Sequence, residues 1–530
     1  MEPKQVIVAG AGAAGLMAAI AAARAGARVT VLEAMERPGR KLLLTGNGRC
    51  NITNLDEALP DAYYGTGSAL AAGIVRRFGA DEMCRFLEDL GLLCTERNGY
   101  VYPYTAQSAS VLEVLLAELR RQKIKLKLSE QLVSLVETGN GWYARTATWQ
   151  YHADSVILAC GSRAASLFDG DGSGYDIARS LGHTVRPVVP ALVPVEVREI
   201  LLPLKIYSEN ATNIDAWKNP LSVRNTAGTD TNTSARKNPL PVENFTGNDP
   251  DAARTAETSY VTEAARFLEA AAGVRCRARV MLEQLPSADR NPAALKLSKD
   301  HMPARAESGE LQWTKYGVSG IVVFQLSRFL SCASPSERSA LVLTLDLLPD
   351  YGEEQLVAML MRRAEKLPDE KADVLLAGIL HSRLIGAVLE LDAIAQDSPA
   401  PPSCSRMDGK VSKTGTARDA KHRSKASGRK YRVPLCRELT GSRIRSIVHL
   451  CKHLSLSGLS TKSFENAQVC AGGVDCSEVK DTLESKLHPS LFFAGELLDV
   501  DGPCGGYNLQ WAWSSGYTAG NAAAGWNTED

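Results

Sequence analysis

Three glycines near the start of the chain have the spacing of a phosphate-holding turn. Gly10-Ala11-Gly12-Ala13-Ala14-Gly15 follows a short apolar run, Val6 to Ala9, and opens a segment rich in alanine. In such a turn the first glycine permits a sharp reversal and the second lets the backbone approach a pyrophosphate. The third lets the following helix lie close to the strand. Free N–H groups at the helix start, with its dipole, favour negative charge there. The pattern alone is weak, but here Glu33 ends the next apolar run, Arg28 to Leu32, eighteen residues beyond Gly15. That puts a carboxylate where adenosine ribose hydroxyls would donate to it, and it disfavours a 2′-phosphate. Gly10, Gly12, Ala13, Ala14, Gly15 and Glu33 are therefore read as a dinucleotide-binding group that does not take NADP.

Two further groups extend this site. Arg37-Pro38-Gly39-Arg40-Lys41 and then Thr45 to Asn54 follow Glu33. The cations Arg40 and Lys41, with the turn around Asn47, Gly48 and Asn51, suit a second phosphate contact and a longer cofactor. Near the other end of the chain, Leu491 to Ala494 delivers Gly495-Glu496, and Gly505-Gly506 opens a last helix through Tyr507-Asn508-Leu509. FAD enzymes of the two-dinucleotide-binding-domain type use this construction: the late glycine-acid pair reaches the ribityl chain and pyrophosphate. The helix that follows aims its positive end at the flavin pyrimidine edge and favours negative charge there. FAD, held at both ends of the chain, is thus expected in place of NAD.

The elements that must position these residues are legible in outline. Val6 to Ala9 suits a strand buried on both faces, Ala14 to Ala25 a helix, and Arg28 to Leu32 a second strand, together one βαβ unit. Helices are predicted over Asp81 to Leu90 and Ala109 to Gln122. A β-rich stretch over Lys123 to Tyr151 follows, with a turn at Gly139-Asn140-Gly141, and then a buried strand over Ser155 to Cys160 ending at Gly161. Asp169 to Tyr175 reads as a loop near the cofactor. Pro187, Pro190, Pro194 and Pro203 exclude one long helix there. Strands are predicted over Arg275 to Leu282, Val318 to Leu326 and Leu341 to Leu347, and helices over Glu353 to Lys366 and Asp373 to Gln396, separated at Pro368.

Composition limits the partners. Lys+Arg and Asp+Glu are 60 each, so no overall field steers the protein to nucleic acid or anionic lipid. One local exception is 403–432, where ten Lys/Arg stand against two Asp. Such a Ser/Gly/Lys-rich run reads as a solvated loop, with RNA or another polyanion as the alternative. The twelve cysteines form no CxxC and no zinc-finger spacing, and the eight histidines show no metal spacing, so no metal is expected. Reduced thiols, and no apolar stretch of ~20 residues, point to a soluble cytoplasmic protein with no membrane partner.

These blocks carry a resemblance. With Gly10 to Gly15, Gly39-Arg40-Lys41, Gly46 to Asn54, Gly317-Val318-Ser319-Gly320, Ala471-Gly472-Gly473-Val474, Thr482 to Lys486 and Gly495 to Gly516, the chain resembles the BaiN/YhiN-like flavoproteins, the aminoacetone-oxidase-like FAD-binding enzymes. The resemblance implies an α/β fold: a Rossmann-like FAD-binding domain of the two-dinucleotide-binding-domain type, with a β-rich and a small helical domain inserted. The FAD domain would comprise 1–186 and 461–530, the β-rich domain 187–347 with a polar, irregular insertion near 205–257, and the helical domain 348–460 with the basic loop near 398–432. FAD contacts carry over to Ala14, Glu33, Lys41, Asn51, Asn508 and Leu509, a backbone contact to adenine to Val133, and a close approach to Gly161. The chain departs from the family in its added length at 205–257, 286–304 and 398–432, and in Val469-Cys470-Ala471.

The implied activity is FAD-dependent oxidoreduction of a small molecule. The leading expectation is hydride reduction of an activated C=C bond, as in a reductase of unsaturated 3-oxo bile-acid intermediates. No second GxGxxG is present, so NAD(P)H would bind transiently at the flavin face. Oxidation of an amine or aminoketone by O2, and flavin chemistry on RNA bound through the basic insert, are the alternatives. Cys50, in a turn whose donors would lower its pKa, Cys504 at a helix entry and Tyr507 are the weak candidates for catalysis. Oligomeric state is left open.

Overall fold

In the computed structural model, residues 2–56, 58–165, 172–202, 260–284, 304–397 and 431–526 are described. The apolar run Gln5–Ala9 (β1) is buried almost throughout, and a strand with no solvent face belongs in the middle of a parallel sheet. It pairs in parallel with Arg28–Leu32 (β2) on one side and Ser155–Leu158 on the other. With Lys125–Lys127 as β3, Ser155–Leu158 as β4 and Leu491–Phe493 as β5, the order is β3-β2-β1-β4-β5, all parallel. The last strand thus comes from the far end of the chain.

The helix Ala13–Arg24 (α1) connects β1 to β2, and Ala14 to Ala22 are all buried. A helix apolar all round must be covered on every side. Its outer cover is the last helix, Tyr507–Ala523 (α2), and the two meet almost backbone to backbone. A Cβ at Gly516 would stand 2.4 Å from the Ala14 carbonyl oxygen, and one at Gly520 2.3 Å from that of Ala18. The alanine-rich composition of α1 is the counterpart of this approach. Tyr63, Trp511 and Trp513 pack into the same core as β1 and α1.

Beyond this domain the chain builds a nine-stranded antiparallel sheet. Its order is Tyr260–Glu263, Glu199–Leu202, Leu454–Ser457, Leu341–Asp346, Arg275–Gln284, Arg305–Thr314, Gly317–Ser319, Val195–Glu196, Ser460–Thr461. Val195–Glu196 and Glu199–Leu202 are neighbours in the chain but lie near opposite ends of that order, so the sheet curls back on itself. Helices Glu353–Lys366, Ser382–Asp397 and Gly441–Lys452 cover it, and Leu356, Val388 and Val448 share one buried cluster with Val280, Leu343 and Leu456. The helical part therefore has no core of its own. Its expected limit at 460 falls inside the sheet, because 454–461 supplies two strands. Where the chain leaves and re-enters the first domain, Val189–Ala191 pairs with Val469–Ala471.

Three further expectations change. Val318 to Leu326 is not a strand: Gly317–Ser319 is, and the helix Ile321–Cys332 follows. Gly320, at φ +101°, ends the strand where a Cβ would meet the Glu310 carbonyl oxygen at 2.4 Å. Val322, Val323, Leu326 and Leu330 then bury one helical face. A short continuous apolar run is ambiguous between strand and helix, and here tertiary packing chose the helix. Asp373 to Gln396 divides into Asp373–Leu376 and Ser382–Asp397 around Gly378, which has φ +81°. Gly441–Lys452 is a helix that the sequence reading did not name. The insertion at 205–257 and nearly all of 286–304 and 398–432 lie outside the described residues, as do 169–171. Among the described residues, no helix is long and apolar enough to cross a membrane.

Two glycine substitutions should separate packing from propensity. Gly520→Leu forces a side chain into the Ala18 carbonyl and should cost at least ~3 kcal/mol of stability, with loss of flavin. Gly386→Ala, exposed in a helix with nothing within 4 Å of its Cβ position, should be neutral or stabilise by up to ~1 kcal/mol. Denaturant unfolding of the two variants reads both.

Candidate active site

The N-terminal turn is shaped partly by protein and partly by open space. The Gly10 N–H donates to the Leu32 carbonyl at 2.7 Å. At φ +104°, a Gly10 Cβ would lie 2.3 Å from the Ala159 carbonyl oxygen, and a Gly15 Cβ 2.0 Å from that of Gly10. Around a Gly12 Cβ, in contrast, there is nothing within 4 Å, and the same holds at Gly161. Gly10 and Gly15 are required by packing. Gly12 and Gly161 face the space that a dinucleotide pyrophosphate fits.

Glu33 is buried beside this turn. Its Oε2 accepts from the Ala11 N–H at 2.7 Å and its Oε1 from the Met35 N–H at 2.8 Å. These two bonds fix the orientation of the carboxylate beside the turn. Val133 sits at a β-bulge: Leu132 pairs with Thr146 and Ser134 with Arg145, so Val133 is turned out of the ladder and stands exposed. Backbone groups in that position suit the edge of an adenine.

Four residues between 46 and 50 take left-handed backbone, with φ +57° at Gly46, +54° at Asn47, +83° at Gly48 and +57° at Cys50, while Arg49 between them is at φ −95°. Consecutive turns of this kind gather N–H groups into a concave anion-binding face. Asn47 itself is exposed, and Arg40 opens the short helix Arg40–Leu44 half-buried. Asn51 carries a buried Oδ1 with no hydrogen-bond partner, an acceptor that a cofactor N–H or O–H would satisfy. The residues present therefore fit FAD.

The two ends of the chain meet here. Lys41 Nζ lies 2.5 Å from Glu496 Oε2, which also accepts from Ser162 Oγ at 2.6 Å. The Gly495 N–H donates to Ser515 Oγ at 2.9 Å, and Trp511 Nε1 donates to the Gly495 carbonyl at 3.1 Å. Gly506, at φ +97°, touches the backbone of Thr53, where a Cβ would lie 2.6 Å from the carbonyl carbon. Asn54 Nδ2 donates to the Gly505 carbonyl at 2.9 Å. Asn508 spends its side-chain amide on Gly502 and Pro503, so what it offers a cofactor is its backbone N–H in the first turn of α2, alongside that of half-buried Leu509. Ala13 and Ala14 are the first residues of α1 at the opposite end.

None of the three proposed catalytic groups is activated. Cys50 is buried, and that burial, opposed by a bond to Thr45, pushes its thiol up to about 12. This reverses the lowering expected from turn donors: burial outweighs them. Burial, and then the nearby Glu307 charge, push the Cys504 thiol up to about 12. Tyr507 is raised by burial and by the hydrogen bond its hydroxyl donates to Asp56 Oδ2 at 2.8 Å, so its proton is engaged in fastening 56 to the last helix.

The structure adds a group that the sequence reading missed. Half-buried Arg328 places its Nε 2.7 Å from Oδ2 of buried Asp501, whose Oδ1 is buried without a partner. Burial raises the Asp501 carboxyl above its ordinary value, with Arg328 opposing. Arg328 also lies over the Tyr64 ring, 4.6 Å from its centroid, and Gln325 Oε1 accepts from the Cys504 N–H at 2.9 Å. The helix Ile321–Cys332 therefore brings two polar side chains from the curled sheet onto the turn 501–504 that precedes α2. Its misreading as a strand hid them, and the only signal was the acidic repeat Asp499-Val500-Asp501 between the two glycine motifs.

A parallel Rossmann-type domain closed by its own C-terminal strand and helix, with both ends fitted to one dinucleotide, defines an FAD-dependent oxidoreductase. The chain belongs to the HI0933-like family, whose model, the HI0933-like protein Rossmann domain, matches residues 4–522. It is similar to a "3-dehydro-bile acid delta(4,6)-reductase" of Clostridium scindens, 36% identical over 97% of this chain and 98% of the relative. Two proteins named "Ribosomal RNA dihydrouridine synthase" are also similar. The one from Haemophilus influenzae is 23% identical over 96% of both chains, and the one from Escherichia coli is 23% identical over 98% of this chain and 97% of the relative.

Glu33→Ala should lower FAD affinity at least ~10-fold, since it removes charge-assisted ribose bonds of ~1.5–3 kcal/mol and leaves two backbone N–H groups unpaired. Flavin fluorescence on dilution measures this. Cys504→Ser should keep turnover within a few-fold of the parent, because a thiol raised to about 12 is not a thiolate at neutral pH; loss of turnover with full flavin content would contradict it.

Proposed function

We propose that the enzyme reduces a carbon–carbon double bond conjugated to a carbonyl in a small molecule, with NAD(P)H binding transiently at the flavin face as reductant. The observation that carries this reading is the relative, 36% identical over almost the whole of both chains, named for reducing such bonds. Bound FAD supplies the hydride chemistry. The chain supplies position. Gly12, Gly161, Glu33 and Val133 hold the adenylate half, the 45–51 turn and the Lys41–Glu496 pair hold the middle, and the first turn of α2 receives negative charge at the ring. Arg328 is the donor for the substrate carbonyl, and the buried carboxyl of Asp501 is the group that returns a proton. The eleven described cysteines are all free, which supports a cytoplasmic enzyme.

A second reading has its own support. Two relatives named for rRNA dihydrouridine synthesis span nearly the whole chain, and the basic segment 403–432 supplies cations for a phosphate backbone. Forming dihydrouridine also saturates a ring C=C next to a carbonyl, so the chemistry would be shared and only the substrate would differ.

Anaerobic stopped flow distinguishes the two. Flavin bleached by NADH or NADPH should be reoxidised by a steroid 4-en-3-one and not by uridine-containing rRNA. The opposite pattern would favour the second reading, and bleaching by dithionite alone would remove NAD(P)H from the proposal. Asp501→Asn should slow reoxidation by the enone ~10²–10⁴-fold while leaving the bleaching rate unchanged. An equal loss in both half-reactions would assign Asp501 a structural role.

A further inference from the structure

Two histidines and a glutamate come together on the helical face that covers the curled sheet, far in sequence from either dinucleotide motif. His449 lies in the last turn of Gly441–Lys452 and His453 is that helix's C-cap, one turn on. Glu353 is the first residue of Glu353–Lys366, which packs alongside. His449 Nδ1 stands 3.5 Å from Glu353 Oε1, and His453 Nε2 3.3 Å from Glu353 Oε2. One donor atom from each of the three residues lies within 4.8 Å of the others.

These separations are long for charge-assisted hydrogen bonds, which close to ~2.7–2.9 Å. Each runs to a different carboxylate oxygen, and one donor atom from each residue falls within 4.8 Å of the others, which leaves room for a different arrangement. Ligand bonds of ~2.0–2.1 Å at tetrahedral angles put neighbouring donor atoms ~3.3 Å apart. We propose that Glu353, His449 and His453 form a three-ligand site for a divalent first-row transition ion, Zn2+ being the species of choice, which clips the start of one covering helix to the end of the other. Two imidazoles and a carboxylate are a ligand set such ions accept, with the fourth position open to solvent beside half-exposed His453.

The surroundings agree. A helix C-terminus favours a cation, and both histidines are at one. Two positive charges on the same helix are already matched: Arg445 pairs with Glu354 at 2.8 Å, and Lys452 with Asp346 at 2.6 Å. The histidine pair has helical spacing in the sequence, but its third ligand is far away in the chain, and only the packing of the two helices supplies it.

The test uses full-length, flavin-loaded protein, cleared with a chelator and titrated with Zn2+ by isothermal calorimetry. The expected result is one Zn2+ per chain, with a higher melting temperature and no change in the flavin spectrum. His453→Ala should weaken binding by more than the ~10–100-fold that loss of an outer-shell partner costs. Glu353→Gln should weaken it as well, and both should keep full flavin content. Absence of uptake, or identical titrations for parent and both variants because cysteines elsewhere take the ion, would overturn the proposal. Should His449→Ala fail to fold, the half-exposed His453 variant carries the test.

Discussion

The near-contact of α1 and α2 is the constraint that joins the two ends of the chain. At Gly516 and Gly520 no side chain separates the two helices, and the backbone of one rests on carbonyls of the other at Ala14 and Ala18. This approach brings the end of the chain onto its beginning. Beside it, β5 extends the parallel sheet, Gly495 reaches the first turn of α1, and a Gly495 Cβ would meet the Ala14 methyl at 2.8 Å. The proposed cofactor site, drawn from residues 10–54 and 495–509, depends on this contact. Small residues are the physical requirement, since dispersion and burial at such short range vanish if either helix is pushed away by a methylene or two.

Electrostatics completes what packing begins. Glu496 is placed by β5 at the edge of the cofactor space, and Lys41 neutralises it from the other end of the chain. The left-handed turn at 46–48 and the first turns of α1 and α2 carry the backbone N–H groups that the proposed FAD site would use. The second domain contributes differently. Its curled sheet shares a core with the helices that cover it, and it reaches the turn before α2 through Arg328 and Gln325, so the polar contacts of that turn are decided by how two large bodies pack.

The legible part of the protein was the part in which local geometry and chemistry coincide. Gly10, Gly12 and Gly15 each answer a separate steric demand, and those demands can be read from spacing; Glu33 follows from the length of one βαβ unit. The illegible parts lacked such a local cause. Val318 to Leu326 is apolar without a clear period, and only Gly320 and the partner surface turn it into a helix. Cys50 sits among backbone donors in the sequence, yet its complete burial governs its thiol. The limit near 460 was missed because two short strands, Leu454–Ser457 and Ser460–Thr461, return to a sheet whose other members lie more than a hundred residues earlier.

By itself the sequence determined the cofactor class, the two motifs expected to hold it and the first βαβ unit, because glycine spacing, a terminal acid and a doubly buried strand each impose a structure within a few residues. Tertiary structure alone decided that Lys41 faces Glu496, that Arg328 meets Asp501, and that Glu353 stands against His449 and His453. Each of those pairings joins residues whose separation along the chain carries no period or spacing. Only the closing of helix on helix, and of a sheet upon itself, brings them within reach.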